Sequence, residues 1–174
     1  GRRLKGTLCP QGAKNEALQV ICATLLTKQT VTITNIPEIL DVLKLIELLQ
    51  GMGVKVEHPA HGKFMFTASD IDFSYFETED FYKKAVSLRG SIMILGPLLA
   101  VHGCGVIPKP GGDKIGRRRL DTHFLGFEKL GATFDYNSSE ECFRAAAEKL
   151  KGCYMLLDEA SVTGTANIVM AAVL

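Results

Sequence analysis

Hydrophobic spacing changes period several times along the 174 residues. Leu18, Ile21 and Leu25 recur at helical spacing, widened by Ala17 and Val20, and predict a helix over about 13–26 behind the Pro10-Gln11-Gly12 turn. Residues 4–9 are read as a short strand before that turn. Val31 and Ile33 alternate with Thr32 and Thr34, which predicts a strand over 30–36 that Pro37 ends. A second helix over about 38–50 carries Ile39, Leu43 and Ile46 on one stripe and closes at Gly51-Met52-Gly53. Residues 54–57 and 63–67 then form a hairpin.

The order starts again after that hairpin. A strand is expected over 71–75, a long apolar helix over 83–101 with a kink at Gly96-Pro97, and a strand over 105–107. Phe124, Phe127 and Leu130 place a helix over 120–130, and 131–135 with 142–145 make another hairpin. A third round opens with a strand over 153–157 and a helix after Ser161. The helix-glycine-strand junction at Gly53-Val54-Lys55-Val56 recurs at Gly131-Ala132-Thr133-Phe134. Each round is β-α-β-α-β-β, so the expected fold is an α/β domain made by internal repetition, with units of about 1–69, 70–149 and 150–174. The chain starts without methionine and stops inside an apolar helical run, so it is expected to be one partial domain of a longer polypeptide.

Equivalent loops of a repeat lie near one another at one end of a domain, and three of them carry chemistry. Lys14 and Asn15 sit at a helix start behind a glycine turn, where exposed N–H groups favour an anion. The plain alternative makes Asn15 a cap and Lys14 a solvated cation. The segment from Pro108 to His123 holds Gly111, Gly112 and Gly116, then Arg117, Arg118 and Arg119, with one acid, Asp113, among the cations. Guanidinium forks suit phosphate and carboxylate oxygens, and glycines let backbone N–H groups approach them. Ser161 opens the third helix, either as a cap or as a further ligand contact. Arg89 interrupts the apolar run Val86–Leu95 and, if buried, needs a carboxylate or a substrate phosphate.

Bulk charge narrows the possibilities. A net charge of +1 gives no general attraction to nucleic acid or an anionic membrane, so anion binding is local. Cys9, Cys22, Cys104, Cys142 and Cys153 are odd in number and never paired as C-x-x-C, which points to reduced thiols in a cytoplasmic protein. His58, His61, His102 and His123 lack metal-ligand spacing, and no metal or cofactor is expected. No apolar run reaches the roughly 18 residues of a membrane span.

Several segments in order resemble one family. They are Gly12-Ala13-Lys14-Asn15, Leu88-Arg89-Gly90-Ser91 with Leu95-Gly96-Pro97-Leu98, Pro110-Gly111-Gly112 with Ile115-Gly116, Asp121 and His123, Leu130-Gly131-Ala132, and Ser161-Val162. Together they resemble the UDP-N-acetylglucosamine enolpyruvyl transferases. The resemblance implies an inside-out α/β barrel domain of βαβαββ units, helices inside and sheets outside, and a second similar domain in the same polypeptide. It implies transfer of the enolpyruvyl group of phosphoenolpyruvate to the 3′-hydroxyl of UDP-N-acetylglucosamine with release of phosphate, the first committed step of peptidoglycan synthesis. Residues 1–174 alone are then expected to be inactive, because the active site lies between two domains.

By the same resemblance, Lys14 and Arg118 hold phosphoenolpyruvate and stabilise the departing phosphate, with Asp113 as the acid. Asn15, Arg89, Arg119, Leu120, Asp121 and Thr122 contact the sugar nucleotide, Asp121 near the uracil, and Ser161 and Val162 sit by the same ligand. Three departures stand out. Asp113 replaces the usual cysteine, which in this family goes with resistance to fosfomycin. Arg119 replaces a common proline, and Glu159 a common lysine. The neighbouring cations hold Asp113 ionised, so it is expected to become an acid only when bound phosphate and carboxylate cancel that field. Two other readings compete: transfer to 3-phosphoshikimate, which the Gly12-Ala13-Lys14-Asn15 loop does not favour, and a non-catalytic anion- or RNA-binding module, which lacks basic-aromatic interleaving.

Overall fold

The computed structural model describes residues 1–109 and 120–174. The expectations for Asp113, Arg118 and Arg119 fall outside those residues. Most of the predicted elements form, each with one face buried. Helix α1 (Lys14–Ala23) buries Ala17, Leu18, Ile21 and Cys22, and a 3₁₀ turn (Thr24–Leu26) ends it. Strand β1 (Val31–Ile33) follows, then α2 (Leu40–Gly51). The buried face of α2 is Val42, Leu45, Ile46, Leu48 and Leu49; Leu43, expected on the stripe, is exposed. Strands β2 (Lys55–Ala60) and β3 (Lys63–Thr67) make the hairpin. The three strands form an antiparallel sheet in the order β1-β3-β2, with Phe64 and Phe66 facing the core.

The second round gives α3 (Glu79–Ser87), α4 (Leu95–His102), β4 (Cys104–Pro108), α5 (Asp121–Lys129), β5 (Thr133–Asn137) and β6 (Cys142–Ala146). Its antiparallel sheet has the order β4-β6-β5, the same topology as the first. The α2–β2 and α5–β5 junctions match bond for bond. Gly53 donates to the Gln50 carbonyl and Val54 to Leu49; Gly131 donates to Glu128 and Ala132 to Phe127. Gly53 (φ 96°) and Gly131 (φ 102°) take left-handed backbone there, a conformation that penalises a Cβ. Helix α6 (Val162–Ala172) completes the described elements.

Three predicted strands do not form. Residues 4–9 pair with nothing among the described residues, and Leu4 and Leu8 lie in solvent. Residues 153–157 keep the alternation: Met155 and Leu157 pack on the core while Tyr154 and Leu156 are exposed. Alternation supplies a buried face but no ladder of hydrogen bonds, and among the described residues no partner strand lies beside them. Residues 71–75 lead into a 3₁₀ helix (Phe73–Glu77), because Asp72 accepts from the Ser74 N–H at 2.9 Å and from the Ser74 hydroxyl at 2.6 Å. Such local side-chain bonds compete with extended structure.

The long helix over 83–101 is also corrected. It breaks at Leu88, whose backbone is extended (φ −130°, ψ 115°), and a 3₁₀ segment (Arg89–Ile94) then feeds α4. The two halves bend by 110°. The Ser91 hydroxyl donates to the Ala85 carbonyl across the break at 2.8 Å. Pro97 makes no kink, because it falls in the first turn of α4, where its missing N–H costs no helical bond. No single helix among the described residues is long and apolar enough to cross a membrane. Leu95 to Leu99 of α4 are all buried, so that apolar run is core.

Helix α4 is held between β4 and α6. At Gly96 an added Cβ would strike the backbone oxygen of Asn167 on α6, and at Gly126 of α5 it would strike the Ile168 side chain. These glycines set how closely the three helices approach. Gly96→Ala is expected to destabilise the fold by roughly 2 kcal/mol, since the obstacle is backbone and overpacking of this kind costs about 1–3 kcal/mol. Denaturant unfolding of the variant checks this; an unchanged midpoint would show that α6 shifts freely.

Candidate active site

Four helical starts open onto one cleft of about 710 Å³, lined by residues far apart in sequence. Lys14 and Asn15 come from the start of α1, Arg89 from the start of the 3₁₀ segment, Leu120 from just before α5, and Ser161 from the cap of α6. The structure therefore brings together five of the residues expected to bind substrate. Asp121, Thr122 and Val162 do not line the cleft. Val162 and Asp121 are exposed. Thr122 is buried, with its hydroxyl 3.1 Å from both Asp158 Oδ1 and Glu159 Oε1, so it ties the segment before α6 to α5.

Each lining residue has a local reason for its position. Asn15 is not a cap: Ala13 holds that place, and among the described residues no side chain caps α1. The amides of the first turn are thus left for water or a ligand. Lys14 reaches across to α2, where its Nζ lies 2.8 Å from Asp41 Oδ2. Both side chains are about two-fifths exposed (44% and 39%), so this ion pair adds little stability and exchanges readily for another anion. Arg89 is half-buried, not enclosed as the apolar run suggested, because the break at Leu88 carries it to the cleft wall. The Ser161 hydroxyl accepts from the Gly164 N–H at 3.1 Å and so caps α6, as the plain reading of that residue expected.

Asp41, Lys44, His123, Glu159 and Thr163 also line the cleft. Sequence reasoning did not select Asp41, Lys44 or Thr163 as site residues. Asp41 and Lys44 lie three apart on α2 and so share a face, a signal that only the placement of α2 makes useful. His123 was noted within the family motif but given no role.

His123 is 3% exposed and joined to a buried amide. Its Nδ1 is 3.0 Å from Asn167 Nδ2, and its Nε2 is 3.5 Å from Thr163 Oγ1. Asn167 itself is fully buried. Burial first, and then the Arg89 charge, push the His123 pKa down to about 4. The imidazole is therefore neutral at neutral pH.

The fold formed by these elements is that of the enolpyruvyl transferases. An enolpyruvyl transferase from Streptomyces tendae, NikO, superposes with a TM-score of 0.75 over 98% of this chain and 39% of that one, at 18% identity. An EPSP synthase from Acinetobacter baumannii gives 0.66 over 95% and 37%, at 19% identity. Residues 1–174 match the family described as EPSP synthase (3-phosphoshikimate 1-carboxyvinyltransferase), and the chain belongs to that family. Among curated relatives, proteins called UDP-N-acetylglucosamine 1-carboxyvinyltransferase are 60% identical in Bacteroides fragilis and 57% identical in Porphyromonas gingivalis, over all 174 residues. The chain spans about 40% of the length of those relatives.

The depressed His123 pKa carries a stability prediction. In the unfolded chain the imidazole gains its proton near 6.5, in the folded protein only near 4. Its contribution is complete above 6.5, declines as the pH falls and is lost by about 4, a change on the order of 3 kcal/mol. Unfolding free energy measured against pH for the native chain and for His123→Gln is expected to differ in slope across that window. Parallel curves would refute the depressed value.

Proposed function

We propose that the polypeptide carrying this chain transfers the enolpyruvyl group of phosphoenolpyruvate to the 3′-hydroxyl of UDP-N-acetylglucosamine, releasing phosphate, in the cytoplasmic first committed step of peptidoglycan synthesis. Through that product it serves cell-wall growth, cell shape and division. The observation that carries this reading is the 57–60% identity, along all 174 residues, to relatives named for that activity. The cleft supports it, since Lys14, Lys44 and Arg89 gather cationic groups in a chain of net charge +1. Transfer to 3-phosphoshikimate is the weaker reading, because the relatives at this identity are named for the sugar-nucleotide acceptor.

The chemistry assigns each residue a task. A proton is delivered to C3 of phosphoenolpyruvate, which makes C2 electrophilic. The sugar 3′-hydroxyl adds to C2 and loses its proton. The tetrahedral intermediate then expels phosphate as C3 gives up a proton, which restores the enol ether. Asp113 is the proton donor at C3. Lys14 and Arg118 neutralise the phosphate as its charge grows on departure, the point at which preorganised cations accelerate most. Asn15, Arg89, Arg119, Leu120 and Ser161 bind the sugar nucleotide. The exposed Asp121 and Val162 flank it outside the cleft lining, and the buried Thr122 acts by holding the segment of Asp158 and Glu159 in place. The remaining groups come from a second domain of the same polypeptide.

Lys14→Ala and Arg118→Ala in the complete polypeptide are each expected to lower kcat/KM by roughly 10²–10³-fold, because a contact that tightens in the transition state is lost. Steady-state kinetics with both substrates check this. Normal kinetics for either variant would leave that residue a solvated cation, and turnover with 3-phosphoshikimate as acceptor would overturn the substrate assignment.

The aspartate at position 113 sets the response to fosfomycin. A thiolate opens an epoxide readily, whereas a carboxylate is a much weaker nucleophile towards it. The native enzyme is expected to resist the drug, and Asp113→Cys to keep turnover but become covalently inactivated. Asp113→Asn is expected to lose turnover while still binding the sugar nucleotide. Mass spectrometry after exposure to the drug reads the outcome. An adduct on the native protein would remove the basis for this assignment.

A further inference from the structure

Asn167 makes three hydrogen bonds inside the core, and their directions are fixed. Its Oδ1 accepts from the Gly96 N–H at 2.9 Å. Its Nδ2 lies 2.9 Å from the Ile92 carbonyl and 3.0 Å from His123 Nδ1. A backbone N–H only donates and a backbone carbonyl only accepts, so the amide has one possible orientation. One of its two N–H bonds goes to Ile92. The other points at His123 Nδ1, which must then accept and carry no proton. A neutral imidazole with an accepting Nδ1 holds its proton on Nε2. That nitrogen has Thr163 Oγ1 3.5 Å away, a contact at the long limit of a hydrogen bond that a ligand oxygen would displace, and both residues line the cleft beside Arg89.

We infer that Asn167 is a positioning residue: it fixes His123 in the Nε2–H tautomer, so that the cleft presents a neutral N–H donor to an anionic oxygen of its ligand. This rests on the reading above that the ligand is a sugar nucleotide, whose diphosphate supplies such oxygens. The arrangement adds direction without charge. Lys14, Lys44 and Arg89 already supply positive charge, and the two lysines carry it on flexible stems that aim poorly. An imidazole clamped by a buried amide has lost its freedom before the ligand arrives, which lowers the entropic cost of binding. Protonation of Nδ1 would set two donors face to face, so the same amide also opposes the charged form.

Ring-labelled histidine read by two-bond proton–nitrogen correlation in the complete polypeptide tests this, with the His123 signal assigned by its loss in His123→Gln. The expected pattern at neutral pH is a protonated Nε2 and a bare Nδ1. UDP-N-acetylglucosamine is expected to shift Nε2 and leave Nδ1 bare. Asn167→Asp, which offers an acceptor in place of the donor, is expected to place a proton on Nδ1 and weaken nucleotide binding at least tenfold by calorimetry. Asn167→Ser, a smaller change should the aspartate variant not fold, is expected to show both tautomers. A native Nδ1–H pattern overturns the inference, as does an unmoved Nε2 when calorimetry reports binding. If calorimetry finds no binding of the nucleotide, the functional reading fails and the ligand contact fails with it, whereas the tautomer is decided on the free protein.

Discussion

The break at Leu88 exposes backbone groups that a continuous helix would have satisfied, and the fold depends on where their hydrogen bonds go. Gly96 lies in the first turn of α4, so its N–H has no helical acceptor. The Asn167 amide meets both that N–H and the Ile92 carbonyl. It can do so only because residue 96 has no Cβ, which lets α6 come against α4. One buried amide therefore joins the 3₁₀ segment, α4, α5 through His123, and α6. Losing it would remove the partner of the buried Gly96 N–H and of His123 Nδ1, at about 1–3 kcal/mol for each group left unpaired.

The same break serves the cleft. A straight helix would have kept Arg89 in an apolar stripe. The 110° bend instead places it at the beginning of a new helical segment on the cleft wall. Lys14 also stands at a helix start. Cations are disfavoured there, because the helix dipole already puts positive potential at that end. Asp41 offsets part of this for Lys14, through a contact too exposed to be strong. A local preference set aside at two helix starts facing one cleft marks a place shaped for something other than stability.

Legibility in the sequence followed burial. The helices and hairpins with one buried face were readable from spacing, and the helix-glycine-strand junction that recurs in the sequence recurs in the structure with matching hydrogen bonds. The strand predicted over 153–157 failed because alternation records which side chains are buried, not whether a partner edge is available, whereas residues 4–9 bury neither of their leucines. The strand over 71–75 failed because Asp72 and Ser74 close a local turn. The break at Leu88 left little trace beside Gly96-Pro97, the stronger breaker signal, which the helix start absorbed. Lys14 and Asn15 were legible as site candidates from a predicted helix start, Ser161 from the loop before the third-round helix, and Arg89 because a charge interrupts an apolar run. Asp41 and Lys44 were not, since nothing local to α2 says which cleft it faces.

His123 shows why the charge of this cleft is local and limited. The wall gathers Lys14, Lys44 and Arg89 against Asp41 and Glu159, while the whole chain carries only +1. A weak overall field attracts little from a distance, so selectivity has to arise at contact. Further cations would raise attraction for every anion alike. A neutral donor held in one direction discriminates by geometry, because it rewards only an oxygen on its axis. Burial next to Arg89 keeps His123 uncharged, and the same burial, through Asn167, determines which nitrogen holds the proton. Packing that stabilises the helical core thus also sets the hydrogen-bonding character of the cleft wall.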